Sequence, residues 1–133
     1  MKEQTLIILK PDAIERNLIG EIISRFEKKD FKFVKLQMFS FTQEMATKFY
    51  SDHKNKPFFN ELVSFITSSS VVAAVIEREN AIEKTREIIG ATDPAKAIIN
   101  TIRHDYGLGI TKNTIHASDS PQSFEKEVNV VFQ

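Results

Sequence analysis

Two stretches of this chain, Leu6-Ile7-Ile8-Leu9 and Val71-Val72-Ala73-Ala74-Val75-Ile76, are aliphatic at every position. A strand turns successive side chains to opposite faces, so a run with no polar position predicts a strand covered on both sides. Neither run approaches the ~20 residues that a bilayer-spanning helix needs, and no apolar signal region opens the chain, so no membrane association is expected.

The segments around these runs read as a regular alternation. Lys10-Pro11-Asp12 stops the first run, and Ile19, Ile22, Ile23 and Phe26 then recur at helical spacing. Residues 31–41 mix Phe, Val, Leu and Met with Lys32, Lys35 and Gln37, which suits a half-exposed strand. Thr42 is placed to cap a helix carrying Met45 and Phe49, and a short helix with Leu62, Phe65 and Ile66 follows Pro57-Phe58-Phe59. After the second aliphatic run, Asn80 is placed as an N-cap with Glu83 as its capping-box partner, and Gly90 as the residue that ends the helix. Asp93-Pro94 predicts a helical turn, residues 106–109 an irregular segment and residues 113–117 a short strand. Ser120-Pro121 then opens a last helix with Phe124, Val128 and Val131 on one side.

This order predicts an α+β fold, a ferredoxin-like βαββαβ sandwich with a four-stranded antiparallel sheet and its helices on one face. At 133 residues and 41% apolar content, one domain over 1–133 is expected. Lys and Arg number 18, as do Asp and Glu, so the chain has no global attraction to nucleic acid or anionic membrane, and any phosphate must be held by a local cluster. The absence of cysteine excludes disulfide, thiolate and cysteine-ligated metal chemistry and suits a reducing compartment, so a cytoplasmic location is expected.

Two charged residues fall where helical spacing calls for core. Arg86 follows Ile82 by four and precedes Ile89 by three, and Glu127 stands in the same relation to Phe124 and Val131. Arg86 there either meets an anion or carries its charge out at a rim. A partly buried Glu127 needs a donor, and His116 and Ser118 lie just upstream. A histidine before a helix is often merely structural, but a carboxylate holding the proton of one ring nitrogen leaves the other nucleophilic. Lys10, Arg86, Thr92 and Arg103 are the phosphate candidates, since the four glycines form neither a Walker A loop nor a dinucleotide fingerprint. His53 and His104 sit among polar neighbours, read as surface residues and fit no metal motif.

Five segments together resemble the nucleoside diphosphate kinase family over essentially the whole chain. They are Leu9-Lys10-Pro11-Asp12-Ala13, the stretch from Phe49-Tyr50 to Lys56-Pro57-Phe58-Phe59, Arg86-Glu87-Ile88-Ile89-Gly90-Ala91-Thr92-Asp93-Pro94, Thr101-Ile102-Arg103, and residues 113–120 around His116. The resemblance implies that His116 is a nucleophile acting through Nδ1, with Nε2 held by Glu127 and Ser118 supporting the carboxylate. It implies that Lys10, Tyr50, Arg86, Thr92, Arg103 and Asn113 surround phosphates, sugar and nucleophile, and that His53 meets the α-phosphate as in some members. Phe58 would stack on the base beside Leu62 and Ile110, giving broad base tolerance. The implied reaction is ping-pong transfer from a nucleoside triphosphate to a nucleoside diphosphate, with Mg2+ carried by the nucleotide and Asp119 reaching it through water. A homo-oligomer built from dimers, hexamer rather than tetramer, is implied, with residues 95–100 at its contacts and no obligate nucleic acid partner. The chain departs from the family's pattern at Ser69-Ser70, at Asn100 and at Ala117 beside the nucleophile, where a left-handed backbone would strain an alanine. An RNA-binding module of similar strand order is disfavoured by the lack of an aromatic stacking motif, and an inactive family member by the presence of every chemical group.

Overall fold

A computed structural model describes residues 2–132; Met1 and Gln133 lie outside the described residues. The strands are β1 (Lys2–Leu9), β2 (Lys32–Phe39), β3 (Val71–Glu79) and β4 (Ile115–Ala117). The helices are α1 (Pro11–Glu15), α2 (Ile19–Glu27), α3 (Gln43–Phe49), α4 (Phe59–Ile66), α5 (Ala81–Ile89), α6 (Ile102–Tyr106) and α7 (Pro121–Val131). The strands form one antiparallel sheet in the order β2-β3-β1-β4, so the two aliphatic runs lie side by side at its centre.

The expectation of helices on one face is wrong. Ile7, Leu9, Val72, Ala74 and Ile76 face a core with Ile22 and Phe26 of α2 and Ile89 of α5. Leu6, Ile8, Val71, Ala73 and Val75 face a second core with Phe49 of α3, Val63 and Ile66 of α4, and Val131 of α7. The aliphatic runs themselves demanded this, because a bare sheet face would expose every second residue of β1 and β3 to water.

Local signals set most helix starts. Thr42 Oγ1 accepts from the Met45 amide at 3.1 Å and Ser120 Oγ from the Ser123 amide at 3.0 Å. Asn80 does not cap α5: its backbone is left-handed, with φ 53°, and its side chain makes no capping bond. The carboxylate of Glu3, from β1, instead accepts from the Ile82 amide at 2.8 Å, so the cap is supplied across the fold. Gly90 does end α5, with φ 87°, and a Cβ there would come within 2.5 Å of the Thr101 hydroxyl oxygen. The five-residue helices α1 and α6 were not anticipated, although Pro11 at the start of α1 and the Thr101 hydroxyl bonded to the His104 amide are ordinary start signals. Asn100 adopts φ 73°, a conformation asparagine tolerates, whereas Ala117 pairs with Ile7 in the sheet and escapes the strain considered for it.

Candidate active site

Lys10 follows β1 and His116 lies on β4 beside it, so strand pairing alone brings them to one end of the sheet. His116 stands opposite Ile8 and therefore shares its face, the one covered by α3 and α7. The apolar stripe of α7 turns Glu127 inward to meet it. Glu127 Oε1 accepts from His116 Nε2 at 2.9 Å and from the Ser118 hydroxyl at 2.7 Å. Since a carboxylate only accepts, Nε2 carries the ring proton and Nδ1 keeps its lone pair. The Phe49 ring packs edge-on to the imidazole, centroids 4.9 Å apart, and fixes its plane.

The cations arrive from the other layer. Arg103 of α6 is buried, and its guanidinium donates to the carbonyls of Gly90 at 3.0 Å and Ile115 at 2.8 Å, while Nε has no partner. Burial, then the neighbouring Arg86, lowers its pKa to about 10. Lys10 Nζ donates to Asn113 Oδ1 at 2.8 Å and to the Thr111 carbonyl at 3.4 Å. Burial, then Arg103, pushes Lys10 down to about 8, with Asp12 pulling the other way. With Arg103 disfavouring the charge of Lys10, and Arg86 that of Arg103, the cluster is a site short of an anion. Arg86 is exposed at the lip yet lines the same cleft, so its charge sits at a rim from which it can still meet an anion. Asn113 Nδ2 donates to the Thr92 carbonyl at 3.0 Å, tying the loop after α5 to the start of β4.

A cleft of about 530 Å³ runs between these groups. Lys10, Tyr50, His53, Phe58, Leu62, Arg86, Thr92, Arg103, Ile110, Asn113, His116, Asp119 and Glu127 all line it, and Ser118 lies behind Glu127. His53 is thus not the plain surface residue its neighbours suggested: its ring sits between Tyr50 and Phe58, and its Nδ1 is buried without a partner. Phe58 is part-exposed, with the Lys56 ammonium 5.7 Å from its ring centre, and Ile110 projects from the loop before β4. Burial, then Glu127, raises the Tyr50 phenol above its ordinary range. The Ser123 hydroxyl donates to Asp119 at 2.6 Å and holds that carboxyl below its usual value.

Reading the sequence missed Phe49, Asp12 and Thr114. Thr114 has φ 80°, and the Ile115 amide donates to the Asn113 carbonyl at 2.9 Å, which closes a γ-turn of the strained hand. A β-branched residue in that region costs about 1–3 kcal/mol. The Thr114 hydroxyl donates to Asp12 Oδ2 at 2.9 Å, and both residues are buried. Asp12 directly follows Pro11 in the first turn of α1, a visible signal; nothing in the local sequence marks Thr114.

Solved structures of the same architecture set the class. The nucleoside diphosphate kinase of Aquifex aeolicus superposes with a TM-score of 0.96 at 48% identity, covering 100% of this chain and 96% of that one. A halophilic nucleoside diphosphate kinase from Halobacterium salinarum, solved in complex with CDP, gives 0.97 at 41% identity, covering 100% and 89%. Among curated relatives, that of Pelotomaculum thermopropionicum is 53% identical over 130 residues, 98% of this chain and 87% of its own length. That of Methanocaldococcus jannaschii is 48% identical over 133 residues, 100% and 95%. The family model for nucleoside diphosphate kinase matches residues 3–133, and the chain belongs to that family. It is accordingly an enzyme, a nucleotide-dependent phosphotransferase.

Proposed function

We propose that this enzyme moves the γ-phosphate of a nucleoside triphosphate to a nucleoside diphosphate through a phosphohistidine at His116. The observation that carries the reading is the imidazole held through Nε2 by Glu127 and Ser118 on the wall of a cleft that also holds Lys10, Arg86 and Arg103. In the first half-reaction the Nδ1 lone pair attacks the γ-phosphorus in line, the bond to the β,γ-bridging oxygen breaks, and that oxygen leaves on the diphosphate. The second half-reaction is the reverse, with the terminal oxygen of a different diphosphate as attacking group. Glu127 stabilises the Nε2–H as charge develops on the ring, and Ser118 keeps the carboxylate aimed.

Lys10, Arg86, Arg103 and Thr92 grip the phosphates, Asn113 orders Lys10 and the sugar side, and Tyr50 and His53 close the wall by the phosphate chain. Each charge-assisted contact is worth about 1.5–3 kcal/mol, enough for a few cations to hold a polyphosphate on a chain of zero net charge. Phe58, with Leu62 and Ile110, offers a π-face that any base can use, which supports broad base specificity. The CDP complex of the Halobacterium salinarum relative supports a nucleotide in this cleft. Mg2+ carried by the nucleotide would neutralise phosphate charge there. Asp119, exposed at the rim and held as a carboxylate by Ser123, fits contact with its water shell.

The apolar side chains exposed on β2 (Val34, Leu36 and Met38) and in the loop at Ile98 and Ile99 support a homo-oligomer built from dimers, with the hexamer as its full form. The test of the chemistry is to incubate the protein with ATP labelled at the γ-phosphate. Acid-labile, base-stable label that GDP or UDP removes is the expected result, and a protein that takes up no label overturns the reading.

A further inference from the structure

The turn that carries Asn113 into β4 is strained, and strain of this kind persists only where the surroundings over-determine it. Three of the contacts that hold it matter here. The Lys10 amide donates to the Thr114 carbonyl at 2.9 Å, Asn113 Nδ2 donates to the Thr92 carbonyl at 3.0 Å, and the Thr114 hydroxyl donates to Asp12 Oδ2 at 2.9 Å. The third is unusual for what it costs. Asp12 is buried, and its other oxygen, Oδ1, is buried with no hydrogen-bond partner. A half-satisfied carboxylate in the interior is a poor way to stabilise a fold, where an apolar pair of the same shape would serve as well or better. Its return is to be sought in the site. Asn113, one residue before Thr114, orders Lys10; His116, two residues after it, faces Glu127.

We propose that Asp12 and Thr114 are positioning residues for phosphoryl transfer, their buried hydroxyl-to-carboxylate bond latching the strained turn that sets Asn113 and Lys10 on one side and His116 on the other. The proposal rests on the phosphohistidine reading and adds two residues to it that the cleft itself does not contain. Asp12 has a second, electrostatic effect: its charge favours protonated Lys10, whereas Arg103 disfavours it. The charged groups bearing on Lys10 are therefore Asp12 from α1 and Arg103 from α6, with Arg86 of α5, His116 of β4 and Glu127 of α7 in the same cleft. Arg16 and Lys10 bear on Asp12.

Geometry and charge can be tested apart. Thr114→Val removes the hydroxyl at nearly constant shape, Thr114→Ser keeps it, and Asp12→Asn keeps an oxygen for Thr114 while deleting the charge. Thermal melts establish that each variant is folded, and the wild type is first shown to take γ-phosphate label. The expected results are a kcat lower by about tenfold or more for Thr114→Val, since small misplacements of reacting groups are costly, and restoration to within about twofold by Thr114→Ser. For Asp12→Asn the alkaline limb of kcat/KM moves to lower pH, because Lys10 loses its proton more readily without the neighbouring anion. A Thr114→Val enzyme with wild-type kcat overturns the latch, and an Asp12→Asn enzyme with an unmoved alkaline limb overturns the electrostatic effect on Lys10, either result leaving the phosphohistidine standing. A wild type that takes no label overturns both.

Discussion

A lysine buried beside an arginine is poised to gain a proton when an anion arrives, and Lys10 is placed in this way. Its pKa stands near 8 against an ordinary 10.5. Between those values the folded state binds fewer protons than the unfolded chain, so this group's contribution to stability rises with pH across that window and is a cost below it. A bound polyphosphate favours the charged form, so near pH 8 nucleotide binding should draw in a proton. Calorimetric titration with nucleoside diphosphate in two buffers of different ionisation enthalpy reads that uptake; heats independent of buffer would contradict it, and Lys10→Met should abolish the difference. His116 supplies the second test at this scale. His116→Ala should take up no γ-phosphate label while melting close to the wild type, because the side chain is part-exposed and its loss opens no sealed cavity. Label retained on that variant would relocate the nucleophile.

The elements divide according to where their signals come from. Helices α3 and α7 start where Thr42 and Ser120 say they should, because a cap acts within three residues of itself. Helix α5 was read correctly in extent and wrongly in cause: its cap is Glu3, which lies 79 residues from Ile82, and no local pattern could reveal that. Glu3→Ala should therefore cost about 0.5–2 kcal/mol in chemical denaturation although residue 3 lies outside α5; an unchanged midpoint would show that the cap carries no weight. The site divides in the same way. Its cleft residues were legible because the motifs around Lys10, Arg86 and His116 each sit in one short segment, and sheet pairing then gathers the segments. The Asp12–Thr114 bond joins residues 102 apart, so the pairing cannot be read locally even though Asp12 itself sits in a marked position after Pro11. The strand β4 is only three residues long, with His116 as its polar member, yet its pairing to β1 puts His116 in place.

At the scale of the molecule, the sheet separates two cores, and the cleft opens at the sheet end where both can reach it. Glu127 and Phe49 come from one layer, Arg86 and Arg103 from the other, with His116 on β4 and Lys10 just after β1 between them. That arrangement leaves β2 at the opposite margin of the sheet, away from the cleft and with one edge unpaired among the described residues. Leu36 and Met38 alternate along it and share one face, Val34 lies at the irregularity between Phe33 and Lys35, and the three are 55%, 54% and 47% exposed. Leu36 and Met38 stand opposite Ala74 and Val72, which belong to the core under α2 and α5, so the stripe continues that core beyond its cover. A long apolar edge strand left open invites pairing, and natural sheets usually blunt it with charge or proline on the exposed side. Here the face carries aliphatic and thioether groups instead, which is the composition of a surface that a second copy covers. Light scattering should accordingly give a mass that is a multiple of the 15.2 kDa chain. The double substitution Leu36→Lys with Met38→Lys should lower that mass towards the single chain while leaving His116 labelling intact, since neither residue lines the cleft. A wild type of single-chain mass, or a double variant that assembles as before, would remove β2 from the account of assembly.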